Sequence, residues 1–190
     1  MGIRAQLAKR VGRDSVVAFI LETERLQLRE LEPTDLDFVA TMLADPEVNR
    51  YYERQFTRED SEGWLNRQLE RYRHHGHGLW LVQTRDGGEA VGQVGLAIQQ
   101  IGDREWPEVG WLLHRPYWGC GYATEAGAAC RDAAFERWQY PELISLIRPV
   151  NERSQRVAFR LGLKPAERIQ FHGYEHIVFR ASAVRRGVIP

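Results

Sequence analysis

The chain has 190 residues, with 26 Lys+Arg against 26 Asp+Glu, so its formal net charge is zero. A length of that order suits one domain with a sizeable core, and 43% hydrophobic with 27% charged residues is an ordinary soluble mixture. A neutral chain lacks the electrostatic footprint of a general nucleic-acid binder. Its longest apolar run, Val16–Leu21, is six residues, far short of the ~20 that a membrane-spanning helix needs.

The remaining compositional signals point the same way. The basic start is followed by no long apolar core and no small-residue cleavage site, so no signal peptide is expected. Cys120 and Cys130 are too few for a disulfide framework. The expected protein is cytoplasmic, with neither nucleic acid nor membrane as a partner. Of the 26 cations 24 are Arg, the others being Lys9 and Lys164; we read this as coding bias.

Residues 1–20 read as an N-terminal extension, 21–183 as the folded domain and 184–190 as a tail. Leu26-Gln27-Leu28-Arg29 alternates apolar and polar, which predicts a strand. Thr34 precedes an acidic first turn and predicts a helix start. That helix should end near Asp45-Pro46, because a residue before proline disfavours helical geometry. Thr57, followed by Glu59 and Asp60, predicts a second helix with Trp64, Leu65, Gln68, Leu69 and Tyr72 on one face, stopped by Gly76 and Gly78. His74, His75 and His77 are expected in a solvated loop, since no second ligand cluster supports a metal site.

Leu79–Gln83 and Val91–Ile98 predict a hairpin closed by Asp86-Gly87-Gly88, with Val109–Leu113 as a further strand. A helix follows from Tyr122 or Ala123 to about Trp138. Its small residues Ala126, Gly127, Ala129, Cys130 and Ala133 would let it lie close to a sheet. Leu143–Val150 then reads as a strand, Ser154–Leu161 as a helix closed by Gly162, and two last strands flank His172-Gly173. Strands clustered between helices imply an α/β or α+β sheet covered by helices.

The segment Tyr117-Trp118-Gly119-Cys120-Gly121-Tyr122-Ala123-Thr124 leads from a strand into a helix. Its glycines allow tight turns and close approach to a ligand. Outward amides at a helix start, with the helix dipole behind them, make an anion site. The Lys of a Walker A loop is missing, and Thr124 stands where a dinucleotide fingerprint has its third glycine.

In this context the chain resembles the GNAT acetyltransferase superfamily, whose phosphate loop reads Gln/Arg-x-x-Gly-x-Gly/Ala; Pro116 stands here at the first position. The string Tyr-Trp-Gly-x-Gly-Tyr-Ala-Thr-Glu-Ala is similar to the RimJ/RimL-like branch of ribosomal-protein N-terminal acetyltransferases. Thr23–Arg29 resembles the family's opening strand, Val91–Leu96 its third strand, and Asn151-Glu152-Arg153-Ser154 with Leu161–Lys164 its Asn-x-x-Ser helix. The likeness covers about residues 20–181. It implies a mixed, mostly antiparallel sheet of six or seven strands, splayed between the fourth and fifth, with helices on both faces.

The resemblance implies acetyl-CoA as cosubstrate and direct attack by a primary amine, of a small molecule or of a protein N-terminus. It puts the pyrophosphate on amides of Trp118, Gly119, Cys120, Gly121, Tyr122 and Ala123, with help from Thr124. The pantetheine arm would lie along Trp111, Leu112, Leu113 and His114, with an oxyanion N–H near Leu112 or Leu113, and Asn151 would bond the arm. Glu108 is the leading candidate base and Glu175 the second. Ala158 stands where many relatives carry a tyrosine acid, which leaves Ser154 as candidate proton donor or simple helix cap. Tyr51, Tyr52, Phe56 and Trp64, with His172 and His176, are expected around the acceptor. Homodimers recur in such families. The rival readings are a non-catalytic CoA-binding regulatory module and a nucleotide-binding protein.

Overall fold

A computed structural model describes residues 18–52 and 55–183. The chain runs through β1 (Phe19–Glu22), β2 (Leu26–Arg29), α1 (Leu36–Ala44), α2 (Pro46–Asn49), α3 (Arg58–His75), β3 (Leu79–Thr84), β4 (Ala90–Ile101), β5 (Arg104–Leu113), α4 (Tyr122–Glu136), β6 (Glu142–Ile147), α5 (Glu152–Arg160), β7 (Lys164–Phe171) and β8 (Tyr174–Ser182). The strands form one sheet of eight in the order β1-β2-β3-β4-β5-β6-β8-β7. Every pairing is antiparallel except β5 with β6.

This is the expected mixed sheet, with eight strands in place of six or seven. The added strand is β1, whose Phe19 and Ile20 come from the segment read as an extension. Phe19, Leu21 and Glu22 pair with β2, which satisfies the backbone groups on that side of the strand. The rest of the extension, residues 1–17, and the tail 184–190 lie outside the described residues.

Local chemistry accounts for the element ends. Thr57 caps α3 in a reciprocal capping box with Asp60. Asp45 caps α2 by accepting from the Glu47 amide at 2.9 Å, just past the end of α1. The predicted strand to Val150 stops at Ile147, four residues before Asn151 caps α5.

The sheet buries both faces. On β4, Gln93 and Val94 point to opposite sides because strand side chains alternate. On one side the Trp64 indole of α3 donates to Gln93 Oε1 at 2.9 Å. On the other, Trp80, paired with Val94, stacks on Trp138 beyond the end of α4. Ala126, Cys130, Ala133 and Ala134 are buried along α4, so small side chains set its close approach.

One expectation is corrected here. His74 and His75 are exposed, but His77 is fully buried. Its ring nitrogens meet Leu96 O at 3.1 Å and the Tyr140 hydroxyl at 2.8 Å, and burial pulls its pKa down. A polar ring enters this core because both of its nitrogens find partners. Among the described residues, no helix is long and apolar enough to cross a membrane.

Candidate active site

The site begins with the parity of β5. His114 N donates to Val91 O at 2.9 Å, so the even-numbered residues of β5 exchange hydrogen bonds with β4. The main-chain groups of Val109, Trp111 and Leu113 therefore face the other way, toward β6. The two strands pair only at Glu108 and Ile144. Beyond that point the edge of β5 at Trp111 and Leu113 has no strand partner, and the sheet is splayed.

This corrects part of the expectation for the arm. Leu112 N–H turns toward Gln93, and His114 N–H is occupied by Val91. Trp111 and Leu113 present the outward amides. Leu113 O is taken by the Trp118 indole at 2.8 Å.

Glu108 sits where the splay opens. Its Oε1 accepts from Leu146 N at 2.9 Å and its Oε2 from Gln99 Nε2 at 2.6 Å. Burial pushes its pKa up; these two hydrogen bonds and the nearby Arg71 charge pull the other way without cancelling the rise. Farther along, the Trp111 indole donates to Ser154 Oγ at 3.2 Å, tying β5 to α5 across the gap. Asn151 Oδ1 accepts from Ser154 N at 3.1 Å, so this residue caps α5 while lining the cleft.

The glycine loop follows. Gly119 and Gly121 both hold left-handed backbone (φ 82° and 83°), which an L side chain resists. Gly121 is the N-cap of α4 and supplies no side-chain cap. Among the described residues, no acceptor meets the amides of Gly119, Gly121, Tyr122 or Ala123, so this end of α4 is left open. The amides of Trp118 and Thr124 donate within the chain, to Arg115 O and Gly121 O, both at 3.1 Å.

The turn between β1 and β2 locks this loop. Thr23 Oγ1 and Arg25 N both donate to Glu125 Oε1, at 2.6 and 2.9 Å. Arg25 Nε donates to Glu125 Oε2 at 2.7 Å and Nη1 to Cys120 O at 3.1 Å, with the guanidinium 4.8 Å from the Tyr122 ring centroid. Burial alone would raise the Glu125 pKa, but the bonds from Thr23 and Arg25 and the Arg25 charge bring it below the usual range. Sequence reasoning missed this clamp. Thr23 and Arg25 read as strand residues, and their partner lies a hundred positions on. Replacing Glu125 by Ala removes all three bonds and should raise KM for acetyl-CoA by about tenfold, the worth of one charge-assisted bond, with a smaller change in kcat; unchanged steady-state KM would dissociate the clamp from the loop.

These parts line one cleft of about 1600 Å³. It holds Trp111, Leu112, Leu113, Trp118, Gly119, Gly121–Thr124, Asn151 and Ser154 at one end. At the other it holds Glu108, Tyr51, Tyr52, Phe56, Trp64, His172 and His176. His114 and Cys120 do not line it: the His114 ring packs against Phe38 and Tyr117, and the Cys120 side chain is exposed. Glu175 pairs with Arg168 at 2.9 Å on an exposed surface and is absent from the lining. Among the described residues, no group of three metal-type side chains converges.

Residues 25–164 match the family model for the acetyltransferase (GNAT) domain. The chain is a GNAT acetyltransferase. It is 33% identical over 151 residues to YkkB of Bacillus subtilis, spanning 79% of this chain and 88% of that protein. An acetyltransferase from Agrobacterium tumefaciens superposes with a TM-score of 0.75 at 31% identity, covering 90% of this chain and all of the other. The fold is also shared with RimL, the ribosomal L7/L12 α-N-protein acetyltransferase solved with coenzyme A, at a TM-score of 0.70 and 14% identity over 87% of this chain and 98% of that one.

GNAT acetyltransferases use acetyl-CoA, and this member is an acetyl-CoA-dependent acyltransferase. The cleft fits that cosubstrate. It offers open amides at a helix start for a pyrophosphate, an unpaired strand edge for an amide-bearing arm, and Arg153 and Arg160 at the rim. Neither of those arginines makes an ion pair among the described residues.

Proposed function

We propose that this acyltransferase moves the acetyl group of acetyl-CoA to a primary amine, of a small molecule or a protein N-terminus, with Glu108 as general base and Ser154 as proton donor. The reading rests on one observation. A single cleft runs from the open amides of α4, along the free edge of β5, to the Glu108 carboxylate.

Bound acetyl-CoA supplies an activated acetyl thioester. The amides of Gly119, Gly121, Tyr122 and Ala123, with the Thr124 hydroxyl, hold its pyrophosphate against the positive end of α4. Arg153, stacked 4.8 Å from the Trp118 ring centroid, adds positive charge beside it. Trp111 and Leu113 hold the pantetheine arm by main-chain bonding, as an added strand would. One of their N–H groups stabilises charge on the thioester oxygen. Asn151 bonds the arm through the amide nitrogen that its capping role leaves free.

The acceptor reaches Glu108 as an ammonium ion at neutral pH, so a proton must be removed before attack. Glu108 takes one proton from the ammonium and passes it to solvent, and the freed amine nitrogen bonds the acetyl carbon as the C–S bond breaks. The CoA sulfur takes the Ser154 hydroxyl proton, and the second nitrogen proton restores Ser154 through solvent. The Trp111 indole donates to Ser154 Oγ, which leaves the hydroxyl proton free to be given. The string from Tyr117 to Ala126 supports a place in the RimJ/RimL-like branch.

Thermal unfolding with acetyl-CoA, CoA, ATP and NAD at matched concentrations tests the donor half. At about a hundred times its dissociation constant a ligand adds about 2.7 kcal/mol, or roughly 5–10 °C for a chain of this size. The expected result is a shift with the two CoA compounds only. A shift with ATP or NAD instead, or none at all, sinks the reading of the loop. Thiol release across a panel of amines then tests the acceptor half.

A further inference from the structure

The acceptor end of the cleft carries a cation that the proposed chemistry does not use. Along α3, Trp64, Arg67, Gln68 and Arg71 recur at helical spacing and line the cleft together. Arg71 is half-buried. Its one hydrogen bond among the described residues runs from Nη1 to the neutral Gln68 Oε1 at 3.3 Å, and it makes no ion pair there.

The cleft's carboxylates do not answer it. Glu47 is paired with Arg50 at 3.3 Å. Glu108 lies close enough for its charge to act on Arg71, yet both of its oxygens are held by Leu146 N and Gln99. Burial costs a guanidinium its hydration, and a bidentate anion restores it best. Tyr52, Phe56 and Trp64, edge to face at 5.5 to 6.2 Å, wall the same cleft, and among the described residues Arg71 makes no hydrogen bond to them.

Building on the N-acetyltransferase reading, we infer that the acceptor is a primary amine with a carboxylate a few bonds from its nitrogen, gripped by Arg71 while Glu108 receives the amine proton. A free amino acid meets this description, and so does a peptide that begins with Asp or Glu. The uncharged rings of Tyr52, Phe56 and Trp64 would flank the acceptor's carbon skeleton. Arg67, which also lines the cleft, adds to the attraction at the entrance.

The test is a competition. Free amino acids, their primary amides, the matching decarboxylated amines, and peptides beginning with Asp or Ala are pooled at equal low concentration with acetyl-CoA. Acetylated products are read by mass spectrometry. In the wild-type protein the carboxylate members should be acetylated at least about tenfold faster than their neutral partners, because a site built to bond a group discriminates against analogues lacking it. Among them, free amino acids would mark a small-molecule source and the Asp-led peptide a peptide source.

In R71Q that ratio should fall to near unity, and R71K, which keeps a charge without the fork, should fall between; melting curves establish that both variants are folded. Equal rates on carboxylates and amides in the wild type, or an undiminished ratio in folded R71Q and R71K, would overturn the inference while leaving N-acetyl transfer intact. If no amine of any kind is acetylated although acetyl-CoA still raises the melting temperature, the N-acetyltransferase reading fails and the inference fails with it.

Discussion

Glu108→Gln should lower kcat/KM for the amine by about 10²–10⁴-fold, the usual worth of a positioned general base. The substitution keeps the shape of the side chain. Its amide oxygen can still accept from Leu146 N, and the Gln99 amide can turn to accept in place of donating, so the brace across the splay survives. A loss of rate without loss of melting temperature would therefore be chemical. A brace alone would show the reverse.

The pH dependence gives a second, independent readout. Burial raises the Glu108 pKa, so the fraction able to accept a proton grows as pH climbs through that raised value. The wild-type kcat/KM should rise along an acid limb that E108Q lacks. His176 also lines the cleft, and burial lowers its pKa; an acid limb that persists in E108Q belongs to that imidazole and removes Glu108 as the base.

Stability follows with the opposite sign. Between the ordinary glutamate range and the raised value, the folded state binds more protons at Glu108 than the unfolded state does. This group's contribution to stability therefore falls as pH rises through that window. E108Q should lose that part of the slope in denaturant titrations run across it.

Gly95→Ala should destabilise the fold by about 3 kcal/mol, near the upper part of the range for forcing atoms into a packed core. A Cβ at Gly95 would lie 2.0 Å from Gly78 O and 2.8 Å from Leu79 Cα, both backbone atoms that cannot rotate away. The Gly78 carbonyl is also held in place by Leu96 N at 3.0 Å. Relief requires β3 and β4 to separate. Those strands carry the sheet on which α3 and α4 dock, so the cost falls on the whole domain. The melting temperature should drop by roughly 6–12 °C for a chain of this size.

The urea midpoint should fall with an unchanged slope. A melting temperature within a degree or two of wild type would mean that the approach of Gly78 to Gly95 is not a fixed feature of the fold. Gly63→Ala offers the contrasting sign. Its Cβ would meet only the flexible Arg67 Nη1 at 3.5 Å inside α3, and removing a helical glycine stabilises by about 0.5–1 kcal/mol.

Much of this protein was legible in one dimension because the deciding interactions are short in sequence. Leu26–Arg29 is a strand with the bounds its alternation predicts. Thr57 and Asp60 cap α3 three residues apart, and α4 starts at Tyr122 right after its glycines. The open amides before α4 need only two glycines and a helix start, both local. The aromatic residues and histidines expected around the acceptor do line the cleft.

What only the tertiary structure decided depends on contacts between distant positions. No local signal marks Phe19–Glu22 as a strand, since it pairs only because β2 offers an open edge. His77 looks like its exposed neighbours until Leu96 and Tyr140 close on its two nitrogens. Which amides of β5 face the cleft follows from register against β4, where a shift of one residue would reverse Leu112 and Leu113. Arg25 meets Glu125, and Arg71 approaches Glu108, only after the sheet has formed. The sequence alone determined most of the elements and the glycine loop that opens α4, because caps, turns and periodicity act over a few residues. The cleft's second end, its charge balance and the environment of Glu108 were decided by folding, because burial and long-range pairing exist only in three dimensions.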